Sequence, residues 1–301
     1  MKNIQNYYII KFMKIAIIVD SATGLTKKMA EKMDLYFLPL YINIDDKEFA
    51  DGIDLESGEI LKHVTLKSKV STSATPLGSA LELVEYLNSK YDKIIIYPIS
   101  EGLSSQYANL KATFSNNKKV YVVKSNKVTL LSIIDILNFR NNVMKNMNLD
   151  SAIEKMEEDY KGKFLLIPKY NDALVRGGRL SPSAASIAKL LKIVPVIKLE
   201  NGKLQKEGKG RIFRKTLFNF YKENFDLYKS NIKNLRTIII HSGNKEINEI
   251  KEEFESYSNS KIELFDIPNT IAIHTGLEAV AFGILDISDE QINFLKMIFQ
   301  Q

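Results

Sequence analysis

The sequence predicts an α/β protein of two domains, with a mostly parallel sheet in the first and a mixed α/β arrangement in the second. Three observations point there. Short unbroken runs of aliphatic, largely β-branched residues, Ile15-Ala16-Ile17-Ile18-Val19 and Ile94-Ile95-Ile96-Tyr97, read as strands buried on both faces. Each run ends in small polar residues and is followed by a helical apolar pattern, and this alternation implies parallel strands with right-handed crossovers. In the second half, Asn201-Gly202 between two apolar runs is instead a hairpin signal.

The elements follow in order. A strand over 15–19 gives way at Asp20-Ser21-Ala22-Thr23-Gly24 to a helix over 26–33. Residues 36–44 read as one strand carrying Pro39, and Asp45-Asp46-Lys47 as a turn. Asp51-Gly52 and Ser57-Gly58 frame a loop before a helix over 59–65. Ser71-Thr72-Ser73-Ala74-Thr75 reads as a polar loop, and Pro76 suits the start of the helix over 77–88. The strand over 93–99 ends in Ser100-Glu101-Gly102-Leu103-Ser104-Ser105. A helix over 106–114, a strand over 120–124 and helices over 129–144 and 151–160 come next, the last with Ser151 as N-cap and Glu154 at the capping-box position.

The second half opens with a strand over 164–168. Arg176-Gly177-Gly178-Arg179-Leu180-Ser181 precedes a helix over 183–191, and strands 194–199 and 203–207 form the hairpin. A helix over 213–225, a strand over 237–241, a helix over 246–257 and a strand over 262–267 lead to Ala272-Ile273-His274-Thr275-Gly276 and an apolar tail. The seam falls near 160–163. The expected organisation is an extension at 1–12, a domain at 13–160 and a domain at 161–301, since Met13-Lys14 looks the more natural start of the first strand.

Composition narrows the chemistry. Without cysteine there are no disulfides, thiolates or Cys-ligated zinc. His63, His241 and His274 are too few for a multi-histidine metal site. Neither GxGxxG nor GxxxxGK[ST] occurs at the first strand–helix loop, so no nucleotide phosphate loop of either kind is expected. The net charge of +6 is spread along a Lys-, Asn- and Ile-rich chain, and a nucleic-acid partner is not expected. No apolar run approaches the roughly 18 residues of a membrane helix. Residues 7–10 are too short for a signal peptide core, so the expectation is a cytoplasmic protein without stable membrane insertion.

Three hydroxyl-rich segments flank buried elements: 20–23, 71–75 and 100–105. Hydroxyls with loop N–H groups can cradle an oxyanion, and the same residues can simply cap helices. Ser104, His274 and Asp20 could be assembled into a hydrolytic triad, although no GxSxG elbow is present; Asp20 could equally organise its own loop. Arg176 and Arg179 around paired glycines suit either an anion or ion pairs across the seam. The basic stretch with Lys203, Lys206, Lys209, Arg211, Arg214 and Lys215 suits a solvated face or a docking surface for an acidic partner.

In order along the chain, several motifs resemble the DegV family of bacterial fatty-acid-binding proteins. They are Lys14-Ile15-Ala16-Ile17-Ile18-Val19-Asp20-Ser21, Asp51-Gly52-Ile53-Asp54, Ser71-Thr72-Ser73, Ser100-Glu101-Gly102-Leu103-Ser104, Arg176-Gly177-Gly178-Arg179-Leu180-Ser181, Leu191-Lys192-Ile193-Val194-Pro195-Val196-Ile197 and His274-Thr275-Gly276. The resemblance covers residues 13–285. It implies a two-domain DegV-like fold holding one long-chain fatty acid at the seam, with no other cofactor, no metal and no catalytic residue. The carboxylate would be held by Ser71 or Thr72, by Ser100 or Ser104, and by His274. The resemblance also implies a partner, a fatty acid kinase that receives the carboxylate for phospholipid synthesis; the partner-facing residues would be Arg176, Arg179, Lys209 and Arg211. Glu101 departs from the family's second serine, and a carboxylate there would repel a bound carboxylate unless it faces solvent. Leu277-Glu278 also departs from the family's Gly-Pro-Gly. Two rival functions stay open: a serine-dependent acyl hydrolase, and a lipid-free interaction module.

Overall fold

The computed structural model describes residues 9–10, 13–65, 68–189 and 192–300. The first half runs β1 (Ile9–Ile10), β2 (Met13–Asp20), a 3-10 turn (Ser21–Thr23), α1 (Lys27–Lys32), β3 (Tyr36–Leu38), β4 (Tyr41–Ile44), β5 (Lys47–Ala50), a second 3-10 turn (Glu59–Lys62), β6 (Val70–Ser73), α2 (Leu77–Asn88), β7 (Lys93–Tyr97), α3 (Gln106–Thr113), β8 (Val120–Val122), α4 (Leu130–Met144) and α5 (Leu149–Glu157). The second half runs β9 (Gly162–Ile167), α6 (Asp172–Gly177), α7 (Pro182–Ala188), β10 (Val194–Glu200), β11 (Lys203–Gly210), α8 (Phe213–Tyr228), β12 (Leu235–His241), α9 (Ile247–Ser258), β13 (Glu263–Asp266), α10 (Asn269–Thr275), β14 (Val280–Asp286) and α11 (Asp289–Phe299). Of the expected extension at 1–12, residues 1–8, 11 and 12 lie outside the described residues, as does the end of the helix expected to run to Leu191.

The first sheet is ordered β1-β2-β7-β8, with β3 also on β2; β3, β2, β7 and β8 are parallel, as the unbroken apolar runs predict. Its two faces bury different residues. Ala16, Ile18, Ile94 and Ile96 meet Val84 and Leu87 of α2 and Leu110 of α3. Ile17, Val19, Ile95 and Tyr97 face inward with α4 and α5. The second sheet, β11-β10-β9-β14-β12-β13, is antiparallel except for β12–β13. Leu165, Ile167, Ile239 and Phe282 pack under α8 and α9, while Phe164, Leu166, Ile240 and Ala281 face inward. The inward faces of both sheets therefore share one core, and a cavity opens within it.

Local chemistry explains where the sequence expectations fail. The strand expected over 36–44 is two strands in two sheets. Pro39 offers no N–H to a ladder, and Leu40 N–H turns to Ser21 Oγ at 3.1 Å, so β4 leaves for a small antiparallel sheet, β5-β4-β6. Of residues 71–75, expected as loop, 71–73 belong to β6, the third strand of that sheet. The segment 59–65 forms only a short 3-10 turn. Ser151 is not the N-cap of α5: Asn148 is, accepting Asp150 N–H at 2.9 Å. The apolar tail contains β14, a central strand that lies between β9 and β12. The Asn201-Gly202 hairpin forms as expected, with φ of 48° and 71° at the two turn residues.

Candidate functional site

Parallel strands place their following loops along one sheet edge, where α/β proteins carry ligands. Here the carboxyl ends of β3, β7 and β8 bring Leu40, Ile99, Leu103, Ser104, Val128 and Thr129 to a cavity of about 400 Å³. β6 adds Thr72 and Ser73. From the second half come Phe164, Leu166, Leu199, Leu204, Ile240 and Ala281 on the sheet face, then Thr270, Ile271, His274 and Thr275 on α10, and Arg179. Most of the wall is aliphatic. Polar groups on it include Thr72, Ser104, Ser105, Asn109, His274 and Arg179.

His274 is the best-defined polar group. Its Nε2 lies 2.8 Å from Thr72 Oγ1, a bond spanning 202 residues of sequence. Burial, assisted by the nearby Arg179 guanidinium, pulls its pKa down to about 4. The ring is therefore neutral near pH 7 and offers one donor and one acceptor. Arg179 spans the seam, donating from Nε to Leu103 O at 3.5 Å and from Nη1 to Gly177 O at 2.6 Å. Among the described residues it forms no ion pair, and it brings a positive charge to a neutral hydroxyl rim.

The other expected site residues divide sharply. Thr72 and Ser104 line the cavity, and Ser104 Oγ also accepts Gln106 N–H at 3.2 Å. Ser71 is exposed and does not line the cavity. Ser100 is fully buried and donates its hydroxyl to Gly202 O at 2.7 Å, which fastens the hairpin turn of the second half to the first. Arg176 lies at a small side pocket beside α6 and α10, and Lys209 and Arg211 are exposed at the end of β11; none of the three lines the cavity. Glu101 is exposed and pairs with Lys124 at 3.3 Å, so its carboxylate is turned from the cavity.

No hydrolytic triad assembles among the described residues. Asp20 spends its carboxylate on Ile99 N–H at 2.7 Å and Ala22 N–H at 3.1 Å, and burial pushes its pKa up to about 7. His274 bonds Thr72, and Ser104 bonds neither partner. Nor do the described residues contain a group of His, Cys, Asp or Glu that would hold a metal ion. The sequence expectations passed over Thr129, Thr270 and Asn109. For Thr270 a signal existed: it stands four residues before His274, on the same face of α10.

A family profile described as "Uncharacterised protein, DegV family" matches residues 14–286. A DegV domain-containing protein of Mycoplasmopsis pulmonis is 43% identical over 282 residues, covering 93% of this chain and 98% of that one. The chain belongs to the DegV family. Among solved structures, DegV of Bacillus subtilis, described as a fatty acid binding protein, superposes with a TM-score of 0.78 at 23% identity, covering 91% of this chain and all of that one. A stearic acid-binding protein of Eubacterium ventriosum gives 0.77 at 21% identity, covering 90% and 98%. These likenesses establish the DegV fold, with its parallel first sheet and mixed second sheet. Among the described residues no helix is long and apolar enough to cross a membrane.

Proposed function

We propose that this chain is a cytoplasmic carrier that binds one long-chain fatty acid, without turning it over, at the seam between a domain at 13–160 and a domain at 161–301. The observation that carries this reading is the cavity itself: a largely aliphatic interior of about 400 Å³ whose lining also carries hydroxyls and a neutral histidine, within the size range of small-molecule sites, roughly 300–1,000 Å³. The acyl chain supplies the affinity. Each buried methylene contributes about 0.8 kcal/mol, so the head group needs positioning more than binding. Thr72, Ser104 and His274 supply neutral hydrogen-bonding groups that leave a carboxylate reactive, and Arg179 supplies charge at the seam. The descriptions of the Bacillus and Eubacterium relatives as fatty-acid-binding proteins support the same ligand.

The finer part of the proposal is that the carboxylate is offered to a fatty acid kinase for phospholipid synthesis. Arg176, Arg179, Lys209 and Arg211 are the basic residues proposed to face that partner. The test is solvent extraction of the natively purified protein followed by mass spectrometry. One acyl chain per protein is expected. A lipid-free protein that also fails to take up added oleate overturns the carrier reading. For the finer part, ATP and a bacterial fatty acid kinase should convert the carried acid to acyl phosphate; a bound acid that the kinase leaves untouched refutes it.

A further inference from the structure

α10 forms part of the cavity wall and is tied to the first half at both ends. Near its end, His274 meets Thr72. At its start, Asn269 is buried and its side chain is fully used: Oδ1 accepts Ile60 N–H at 3.2 Å, and Nδ2 donates to Glu56 O at 2.8 Å and to Asp51 Oδ1 at 3.0 Å. Asp51 follows β5 and is only 2% exposed. The hydroxyls of Ser21 and Thr270 stand beside its carboxyl, yet Oδ2 reaches no partner in hydrogen-bond geometry among the described residues. Asp20 is equally buried and within electrostatic reach of it. Two buried carboxyls thus feel one another, one of them bonded to the residue that starts the cavity helix.

We propose that Asp51 is a positioning residue of the lipid site: through Asn269 it holds α10, and with it Thr270 and His274, and the charge state of the Asp51–Asp20 pair sets how firmly that wall is held. The role in lipid exchange rests on the carrier reading; the control of α10 does not. Two effects oppose each other when Asp51 ionises. Its bond to Asn269 strengthens, but burial disfavours the charge and outweighs that bond, pushing Asp51 up to about 6, as burial pushes Asp20 up to about 7. The other charged groups nearby are engaged elsewhere. Asp54 accepts Ala50 N–H, Glu56 pairs with Lys28, Glu59 pairs with Lys62, and His274 is neutral. Rising pH therefore places like charges in the seam without a cation, and the available relief is to let water in by loosening α10.

The test measures release of a polyene-labelled fatty acid, displaced by excess oleate, between pH 5.5 and pH 8. Release from the wild type should accelerate by at least about threefold across that range, the window in which the pair loses its protons. Asp51→Asn keeps an acceptor for Asn269 without the charge, and should release slowly with a flattened profile. Asp51→Ala loses the tether and should release quickly at both ends. A flat wild-type profile, or Asp51→Asn retaining the wild-type slope, overturns the proposal; the ligand's own carboxyl titrates alike in every variant. If the protein takes up no lipid, the carrier reading fails by itself. Hydrogen exchange of α10, corrected for intrinsic rates, then decides: better protection at pH 8 in Asp51→Asn than in wild type supports the role, and equal protection refutes it.

Discussion

Gly202→Ala should pry apart the seam that encloses the cavity. Gly202 occupies the second turn position of the β10–β11 hairpin at φ 71°. A methyl there would sit 2.3 Å from Ser100 Oγ and 3.0 Å from Asn126 Cα. The left-handed conformation costs an alanine about 1 kcal/mol, and the overlap costs a further 1–3 kcal/mol, roughly, as overpacking. Displacement of Ser100 also loses its bond to Gly202 O, worth about 1 kcal/mol. A total near 4 kcal/mol, against an unfolding entropy of about 2.1 cal/mol/K per residue, lowers Tm by about 6 °C. Gly178→Ala is the matched control: its φ is 67°, but nothing lies within 4 Å of the added methyl, so only the backbone cost of about 1 kcal/mol applies. Calorimetry on both variants and on Ser100→Ala/Gly202→Ala reads the difference. The double variant should be less destabilised than the sum of the singles, because the clashing oxygen is gone. Equal shifts for Gly202→Ala and Gly178→Ala, or strict additivity with Ser100→Ala, refute this account of the seam.

The remaining predictions concern the site and the helices. Thr72→Val should weaken fatty-acid binding by about tenfold, as loss of one hydrogen-bonding hydroxyl predicts, whereas shortening the ligand by four methylenes should weaken it more than about a hundredfold; titration calorimetry ranks the two, and the reverse order contradicts a chain-driven site. His274 should stay neutral until far below pH 6.5, so its contribution to stability is full above that pH and lost as pH falls toward about 4. Arg179→Ala should raise the His274 pKa measured by NMR but leave it below 6.5, because burial is the larger cause. Asn148→Ala should destabilise by about 1 kcal/mol and Ser151→Ala by less than about 0.5 kcal/mol, which chemical denaturation resolves.

What the sequence showed well was local and periodic. The two-sided burial of β2 and β7, the Asn201-Gly202 turn and the alternation of strands and helices in the first half all depend on patterns within about ten residues. The candidate site was half legible. The hydroxyl segments 71–75 and 100–105 both reach the cavity, as does His274, the one ring in 272–276. Which hydroxyl does what was not legible. Ser71 and Thr72 are neighbours of the same chemical type, yet only Thr72 lines the cavity.

The sequence by itself determined the fold class, the absence of thiol chemistry and the hydroxyl-rich segments near the cavity, because composition and periodicity act on the chain locally. Only the tertiary structure decided the assignments that depend on distant partners. Ser100 is consumed by Gly202, 102 residues away, His274 is oriented by Thr72, and Asn269 is anchored by Asp51, 218 residues away. Glu101 turns to Lys124, which takes its carboxylate away from the cavity. The physical reason is common to all four. A polar side chain satisfies itself with whatever donor, acceptor or counter-charge packing brings within about 3 Å, and which groups those are is fixed when the two sheets close on one core.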